Sequence, residues 1–463
     1  MTYFNHREIK LEEAIEAYLC SPEGGFIKGS DKNFDARLAL DTQTLLSFVK
    51  STQPKAWERY QVIYGSDCER RFIKRFCEEV EADGLIQVLR HGIKDRGVNF
   101  MVAYFAPETS INPDLAVRYN SNILQCVRQF HYSPSDTQNT IDIVLLLNGI
   151  PIAALELKDE FSGQNVDDAI YQYKKDRDPR DPIFAFNQRL LVYFALDLAQ
   201  VFMTTQLAGA TTYFLPFNQG SNGAGEVGGK GNPPNPDNFM TAYLWENVLR
   251  KDRLMEILQK YIHLDVKKDG RKSIIFPRYH QLDVVTKLLA DVKANGTGKN
   301  YLIQHSAGSG KSNSIAWLAH RLSGLHDAND KKIFNSVIVV TDRKVLDSQL
   351  QDTVYQFDHV RGVVKKVEKN SKELLQAIND RIPIIITTLQ KFPVIFEQIK
   401  AGGRRFAIIC DEAHSSQTGE AAKKLKYALA DMEKELEEAA KIANQDEDAK
   451  PDYQDKIVQE LAS

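Results

Sequence analysis

The stretch Tyr301–Ser312, YLIQHSAGSGKS, limits this chain more than any other. It reads as an apolar strand, a glycine-rich turn, a Lys-Ser pair and then a helix over Asn313–Leu322. That order lets backbone N–H groups close around a phosphate chain. Gly308 and Gly310, with Ser309 between them, allow the tight turn. Lys311 supplies a point charge, Ser312 offers a hydroxyl to Mg²⁺, and the N-terminus of the following helix faces the anion. His305 stands where the first glycine of GxxxxGK[ST] belongs, so only the laxer xxxGxGKS form is present. A Gly-Ser loop without a ligand is the plain alternative. The second stretch, FAIICDEAH at Phe406–His414, weighs against that alternative. It reads as a buried parallel strand that delivers Asp411 and Glu412 at its carboxyl end, where open α/β sheets bind ligands. There Asp411 would hold Mg²⁺ through water, and Glu412 would orient and deprotonate the attacking water.

DEAH downstream of GSGKS resembles the superfamily 2 helicase and translocase motors. The resemblance implies a RecA-like parallel-sheet domain that uses ATP and Mg²⁺. In that light Arg278 and Gln281 of FPRYHQLDVV correspond to the adenine-reading segment of such motors, with Gln281 bonding N6 and N7. The strand ends Thr341, Asp342, Arg343 and Thr387, Thr388 correspond to groups that touch a nucleic-acid backbone. Outside that context each reads as a helix-cap loop.

At 463 residues the chain suits two or three domains. Hydrophobic residues at 43% and charged residues at 26% describe an ordinary globular protein. A net charge of −3 excludes a protein coated in positive charge, so nucleic-acid contact must come from local basic patches. The five cysteines are scattered without CxxC spacing, which fits a reducing cytoplasm and no structural zinc. With no signal peptide and no apolar run of about 18 residues, membrane and secretory roles are not expected.

Apolar spacing predicts helices over Lys10–Leu19, Asp35–Phe48 and Glu69–Val88, and strands over Phe100–Ala106 and Asn122–Phe130. The most informative stretch of this half is Asn139–Asp159, NTIDIVLLLNGIPIAALELKD. Two β-rich runs flank Asn148-Gly149, a strong hairpin signal. Asp142 opens the first strand, while Glu156 and Lys158 close the second on one shared face. Two carboxylates holding a divalent ion beside a lysine is what phosphodiester hydrolysis requires. The geometry carries a condition. A plain two-residue turn pairs Asp142 with Leu155 and puts it on the wrong face, whereas a three-residue connection, or one bulge near Gly149-Ile150-Pro151, brings it opposite Glu156. An ordinary edge hairpin with a surface Glu/Lys pair is the alternative.

The pattern D…ELK after NGIP resembles the PD-(D/E)xK nuclease fold. Joined to a downstream DEAH motor, it is similar to the restriction (R) subunit of type I restriction enzymes. The stretches TQPKAWERY, LVYFALD, MTTQLAG with FLPFN, and YLWENVLRKDRLMEIL match that family's pattern too. The resemblance implies an α/β endonuclease domain over residues 1–265 and a first RecA-like motor domain over 266–463. Asp142 and Glu156 become Mg²⁺ ligands and Lys158 the catalytic lysine. It also implies double-stranded DNA as substrate, modification and specificity subunits as partners, and cutting away from the recognition site after ATP-driven translocation. The family's QxxxY helix would supply Gln172, although Asp176 stands where the tyrosine belongs. Lys174, Lys175, Arg177 and Arg180 read either as phosphate grips or as a solvated face.

The segment NQGSNGAGEVGGKGNPPNPDN reads as a loop, and VKKDGRK as the domain boundary. The sequence after DEAH holds no further strand-and-motif series, so a second motor lobe with its arginine finger is not expected here, and the chain alone is expected to be a poor ATPase. Two other readings stay open: a DNA-repair helicase with a structural N-terminal domain, and a nucleotide-sensing binding module.

Overall fold

The computed structural model describes residues 8–158, 163–267, 269–306, 308–341, 350, 353–354, 362–367, 371–388 and 404–411. The chain divides into two compact units, Met1–Asp283 and Val284–Ser463.

The first unit is built on a seven-stranded mixed sheet of β1 (Ile27–Lys28), β2 (Leu124–His131), β3 (Thr140–Leu147), β4 (Ile150–Leu157), β5 (Val192–Leu196), β6 (Val201–Thr204) and β7 (Leu215–Pro216), in that spatial order. β1 runs parallel to β2 and β4 parallel to β5; the other neighbours are antiparallel. The helices are α1 (Glu8–Leu19), α2 (Thr42–Thr52), α3 (Pro54–Tyr64), α4 (Cys68–Asp83), α5 (Leu85–His91), α6 (Pro113–Asn120), α7 (Val166–Lys175) and α8 (Lys251–Lys260). The expected helix over Asp35–Phe48 begins only at Thr42, because Asp41 accepts from Thr44 N at 3.0 Å and caps the helix there. The expected helix over Glu69–Val88 is two helices. Gly84 separates them at φ +85°, and a Cβ at that position would collide with Asn187. The expected strand over Phe100–Ala106 reduces to Val98–Phe100, paired with Ile93–Asp95.

Local chemistry fixes the β3–β4 hairpin. Asn148 and Gly149 take φ +53° and +83°, as a turn matching the strand twist requires. The Asn148 side chain is fully buried. It accepts from Ile123 N at 2.7 Å and donates to Val102 O and Asn122 Oδ1. α7 starts in a reciprocal cap: Asn165 accepts from Asp167 N, and Asp168 accepts from Asn165 N. Asp167 and Asp168 in its first turn and Lys174 and Lys175 in its last turn suit the helix dipole. Val166 N donates to Asp197 Oδ2 at 2.9 Å, tying the helix start to the end of β5. Val166, Ala169 and Tyr173 of α7 pack on Val144, Leu146, Ala154, Tyr193 and Ala195 of the sheet. His263–Val266 and Lys272–Ile275 pair antiparallel within this unit. The Gly- and Asn-rich loop is pinned at its base by the buried Asn232, which accepts from Gln219 N and donates to Ala199 O and Asn218 Oδ1.

Helix α9 (Tyr279–Asn295) spans the division between the units. The second unit holds α10 (Lys311–Ser323), α11 (Ser371–Asn379) and an all-parallel sheet. Its strands, in chain order, are β8 (Ser336–Thr341), β9 (Val364–Lys366), β10 (Ile384–Thr388) and β11 (Phe406–Cys410), arranged β9-β10-β8-β11. β8 and β10 are wholly buried, as sheets covered on both faces require. The expected strand at Tyr301 is not formed: among the described residues 301–306 joins no β-ladder, and Leu302 is 84% exposed. An apolar run supplies burial energy but no ladder partner, and a strand needs both.

Candidate functional site

The β3–β4 ladder runs Leu147↔Ile150 and Leu146↔Pro151, then shifts, so that Leu145 pairs with Ala153 and Ile143 with Leu155. Ile152 is the extra residue. One step further along, the shifted register sets Asp142 opposite Glu156, the arrangement that Asp142, Glu156 and Lys158 need to share a site. The same row continues into β2. There Arg128 pairs with Ile143 and Phe130 with Ile141, so Gln129 stands opposite Asp142 without a ladder pair of its own.

Asp142 is 8% exposed, Glu156 0% and Lys158 9%. Asp142 Oδ2 accepts from Leu157 N at 2.7 Å, and Oδ1 lies 3.4 Å from Gln129 Nε2. Glu156 Oε1 accepts two N–H bonds from Arg177, from Nε at 2.9 Å and from an η nitrogen at 2.5 Å. Its other oxygen, Oε2, is buried with no hydrogen-bond partner among the described residues. Burial first, and then the Asp142 carboxylate, push the Glu156 carboxyl well above the usual range; Arg177 and Lys158 pull it down. A buried carboxylate oxygen left open beside a second carboxylate fits a divalent cation held by Asp142 and Glu156. Among the described residues no cluster of three or more His, Cys, Asp and Glu ligands occurs, so such an ion would complete its shell with water and substrate oxygens.

Arg177 is the residue that a reading of the charge run misplaces. It is neither a phosphate grip nor a solvated face but buried. Besides Glu156 it reaches Thr140 O at 2.6 Å, and its guanidinium lies 5.5 Å from the Tyr132 ring centre. Arg180 is exposed and pairs with Asp178. Gln172 is half-buried, and no side-chain bond joins it to Asp142 or Glu156 among the described residues; its carbonyl accepts from Asp176 N and Arg177 N. One signal was available for Arg177. Val166, Ala169, Tyr173 and Arg177 recur at helical spacing, one face of α7 extended by one turn.

In the second unit Gly308 and Gly310 take φ +74° and +81°, and Gly310 caps α10. Lys311, the first residue of that helix, extends Nζ to within 3.1 Å of Asp411 Oδ1, just beyond β11. Ser312 is half-buried in the same first turn. Ser309 Oγ and His305 Nδ1 are 3.2 Å apart, and burial, then the Lys311 charge, lower the His305 pKa. Parallel pairing of β8 with β10 and β11 sets Thr341, Thr388 and Asp411 at one end of the sheet. Glu412, Asp342 and Arg343 lie outside the described residues. Gln281, in the first unit, is 3% exposed and accepts from Arg278 N at 2.9 Å.

Comparison with known proteins agrees with this order of parts. Residues 69–212 match the N terminus of type I restriction enzyme R proteins, and residues 280–435 match the SWI2/SNF2 ATPases. The endonuclease subunit of a type I restriction enzyme from Staphylococcus aureus (strain COL) is 25% identical over 288 residues, covering 60% of this chain and 28% of its own length. One from Staphylococcus saprophyticus is 26% identical over 297 residues, with the same coverage. A Methanocaldococcus jannaschii relative is 25% identical over 348 residues, 67% of this chain and 31% of its own length. The chain thus spans about three tenths of the curated relatives it matches. Over residues 69–212 the chain is thus similar to the N terminus of type I restriction enzyme R proteins, and over 280–435 to the SWI2/SNF2 ATPases.

Proposed function

We propose that the chain supplies two chemistries of a type I restriction enzyme: metal-dependent cleavage of double-stranded DNA, and ATP-driven translocation that precedes it. The nuclease region is a PD-(D/E)xK-type domain, and the region from the Lys-Ser loop onward is a RecA-like motor lobe of the superfamily 2 helicase type. Modification and specificity subunits are its partners in the cytoplasm. The observation that carries the reading is the shifted β3–β4 register, which places Asp142 against Glu156 with Glu156 Oε2 open.

In this reading Asp142 and Glu156 hold Mg²⁺, which when bound polarises the phosphodiester and lowers the pKa of a water. Lys158 extends from the end of the same strand and stabilises charge developing on the phosphate. Arg177 holds Glu156 through one oxygen only. Lys311 and the N–H groups of Gly308–Ser312 clamp ATP, Ser312 and Asp411 hold its Mg²⁺, Glu412 activates the water and Gln281 reads adenine.

The test separates the two sites in the enzyme assembled with its modification and specificity subunits. Lys158→Ala should abolish cleavage and leave ATP turnover nearly unchanged; Lys311→Ala should abolish turnover. A Lys158→Ala enzyme that still cuts, or that loses ATPase in proportion, would mean the hairpin is not the nuclease centre.

A further inference from the structure

Gln129 is out of place for a strand residue. It lies inside β2 yet takes φ +47°, the left-handed region that costs a side-chain-bearing residue free energy and that strands do not use. Nothing in packing asks for this, because Gln129 is exposed. What the conformation provides is the position of its amide. Nε2 donates to Glu12 Oε1 at 2.6 Å and reaches Asp142 Oδ1 at 3.4 Å, while Oε1 accepts from the Thr140 hydroxyl at 3.2 Å. The amide is thus set between a carboxylate of α1 and one of the two proposed metal ligands. Glu12 is anchored in turn by Arg128 at 2.9 Å. The second, independent sign that this row receives a ligand is Glu156 Oε2, fully buried, without a hydrogen-bond partner among the described residues and beside the Asp142 charge.

We propose that Gln129 is a positioning residue, strained so that its amide orients Asp142 for a divalent cation and separates that carboxylate from Glu12. The inference rests on the metal-site reading of Asp142 and Glu156. With Leu157 N bonding Oδ2 and Gln129 bonding Oδ1, both Asp142 oxygens are directed from opposite strands. An incoming cation then meets a fixed carboxylate instead of one free to rotate toward solvent. Residues that orient metal ligands typically contribute roughly 10- to 100-fold in metal affinity.

The experiment titrates Mn²⁺ into the purified 463-residue chain and measures the rise in Tm that Mn²⁺ gives each variant over its own metal-free Tm. Gln129→Gly keeps the left-handed backbone and removes the amide. Gln129→Asn also tolerates that backbone, with the amide one methylene short. Both should bind Mn²⁺ roughly 10- to 100-fold more weakly and lose most of the metal-dependent rise, whichever way their metal-free Tm moves. If both variants shift only the metal-free Tm and keep the affinity and the rise of the unchanged chain, Gln129 serves the fold and the proposal is wrong. Glu156→Gln is the control for the underlying reading. Should it bind Mn²⁺ like the unchanged chain, the two-carboxylate site itself fails and this inference with it. Should it lose binding while the Gln129 variants retain it, only the inference fails.

Discussion

Lys311 Nζ lies 3.1 Å from Asp411 Oδ1, so the cation of the glycine-rich loop and the acid that ends β11 neutralise one another across the mouth of the sheet. On the proposed reading Mg²⁺-ATP would take up both, with Lys311 turned to the phosphates and Asp411 to the ion. Lys311→Ala should weaken ATP binding by roughly 10- to 150-fold, the worth of a hydrogen bond to a charged group at 1.5–3 kcal/mol. Asp411→Asn frees the lysine. Without Mg²⁺ this variant should bind ATP at least as tightly as the unchanged chain, and added Mg²⁺ should give it no gain. Titration with a fluorescent ATP analogue, in EDTA and in Mg²⁺, reads both; an Asp411→Asn chain with full Mg²⁺ dependence contradicts the pairing.

His305 gives this loop a pH dependence. Burial and the Lys311 charge hold its pKa below the ordinary 6.5, so the folded chain binds that proton less readily than the unfolded chain. Stability from this group is therefore complete above the unfolded pKa and is lost as pH falls from about 6.5 through the folded pKa. His305→Asn should melt with a shallower decline between pH 7.5 and 5.5 than the unchanged chain. Parallel melting curves over that range would assign the effect elsewhere.

Asn148 tests the hairpin turn. Its buried amide satisfies one N–H and two acceptors from two other segments, Val102 and Asn122-Ile123, and its φ of +53° disfavours a Cβ-branched or apolar replacement. Asn148→Ala should cost about 3 kcal/mol or more, since each buried group left unpartnered costs about 1–3 kcal/mol. Urea unfolding measures it, and a loss under about 1 kcal/mol would mean that water replaces the amide.

The hairpin was legible because its information is local. Asn148-Gly149 dictates the turn, the period of two sorts the faces, and simple counting from Asp142 to Glu156 demands one irregular residue. The bulge falls at Ile152, next to the Pro151 that cannot donate to a ladder. The glycine-rich loop was legible for the same reason. What escaped depends on contacts between distant segments. The sequence presents Arg177 as one cation among four, set apart from Arg180 only by its helical spacing from Tyr173, while its partners Tyr132, Thr140 and Glu156 come from distant segments. Tyr301–Ile303 is apolar enough for a strand, but apolarity does not name a pairing partner. Gln129 carries no sequence signal at all, because a left-handed glutamine in a strand obeys tertiary needs against its own propensity.

The Arg177–Glu156 pair sets the energetic terms on which the acidic row exists. Both side chains are almost completely inaccessible, at 4% and 0%, so each offsets part of the other's burial penalty. Arg177→Met keeps most of the stem's packing and deletes the charge. It should destabilise the first unit by about 3–5 kcal/mol, because Glu156 is left buried beside Asp142 without its cation. Glu156→Gln should cost less: the amide retains an oxygen that can accept from Arg177, while Thr140 O and the Tyr132 ring still hold the guanidinium. Combining the two removes both charges. The double variant should then cost less than the sum of the singles by about 1–3 kcal/mol, the range for groups in direct contact. Urea unfolding of the four chains, followed by far-UV circular dichroism, closes the cycle. Additivity within about 0.5 kcal/mol would mean that Arg177 is held by Tyr132 and Thr140 alone and that Glu156 bears its charge without it.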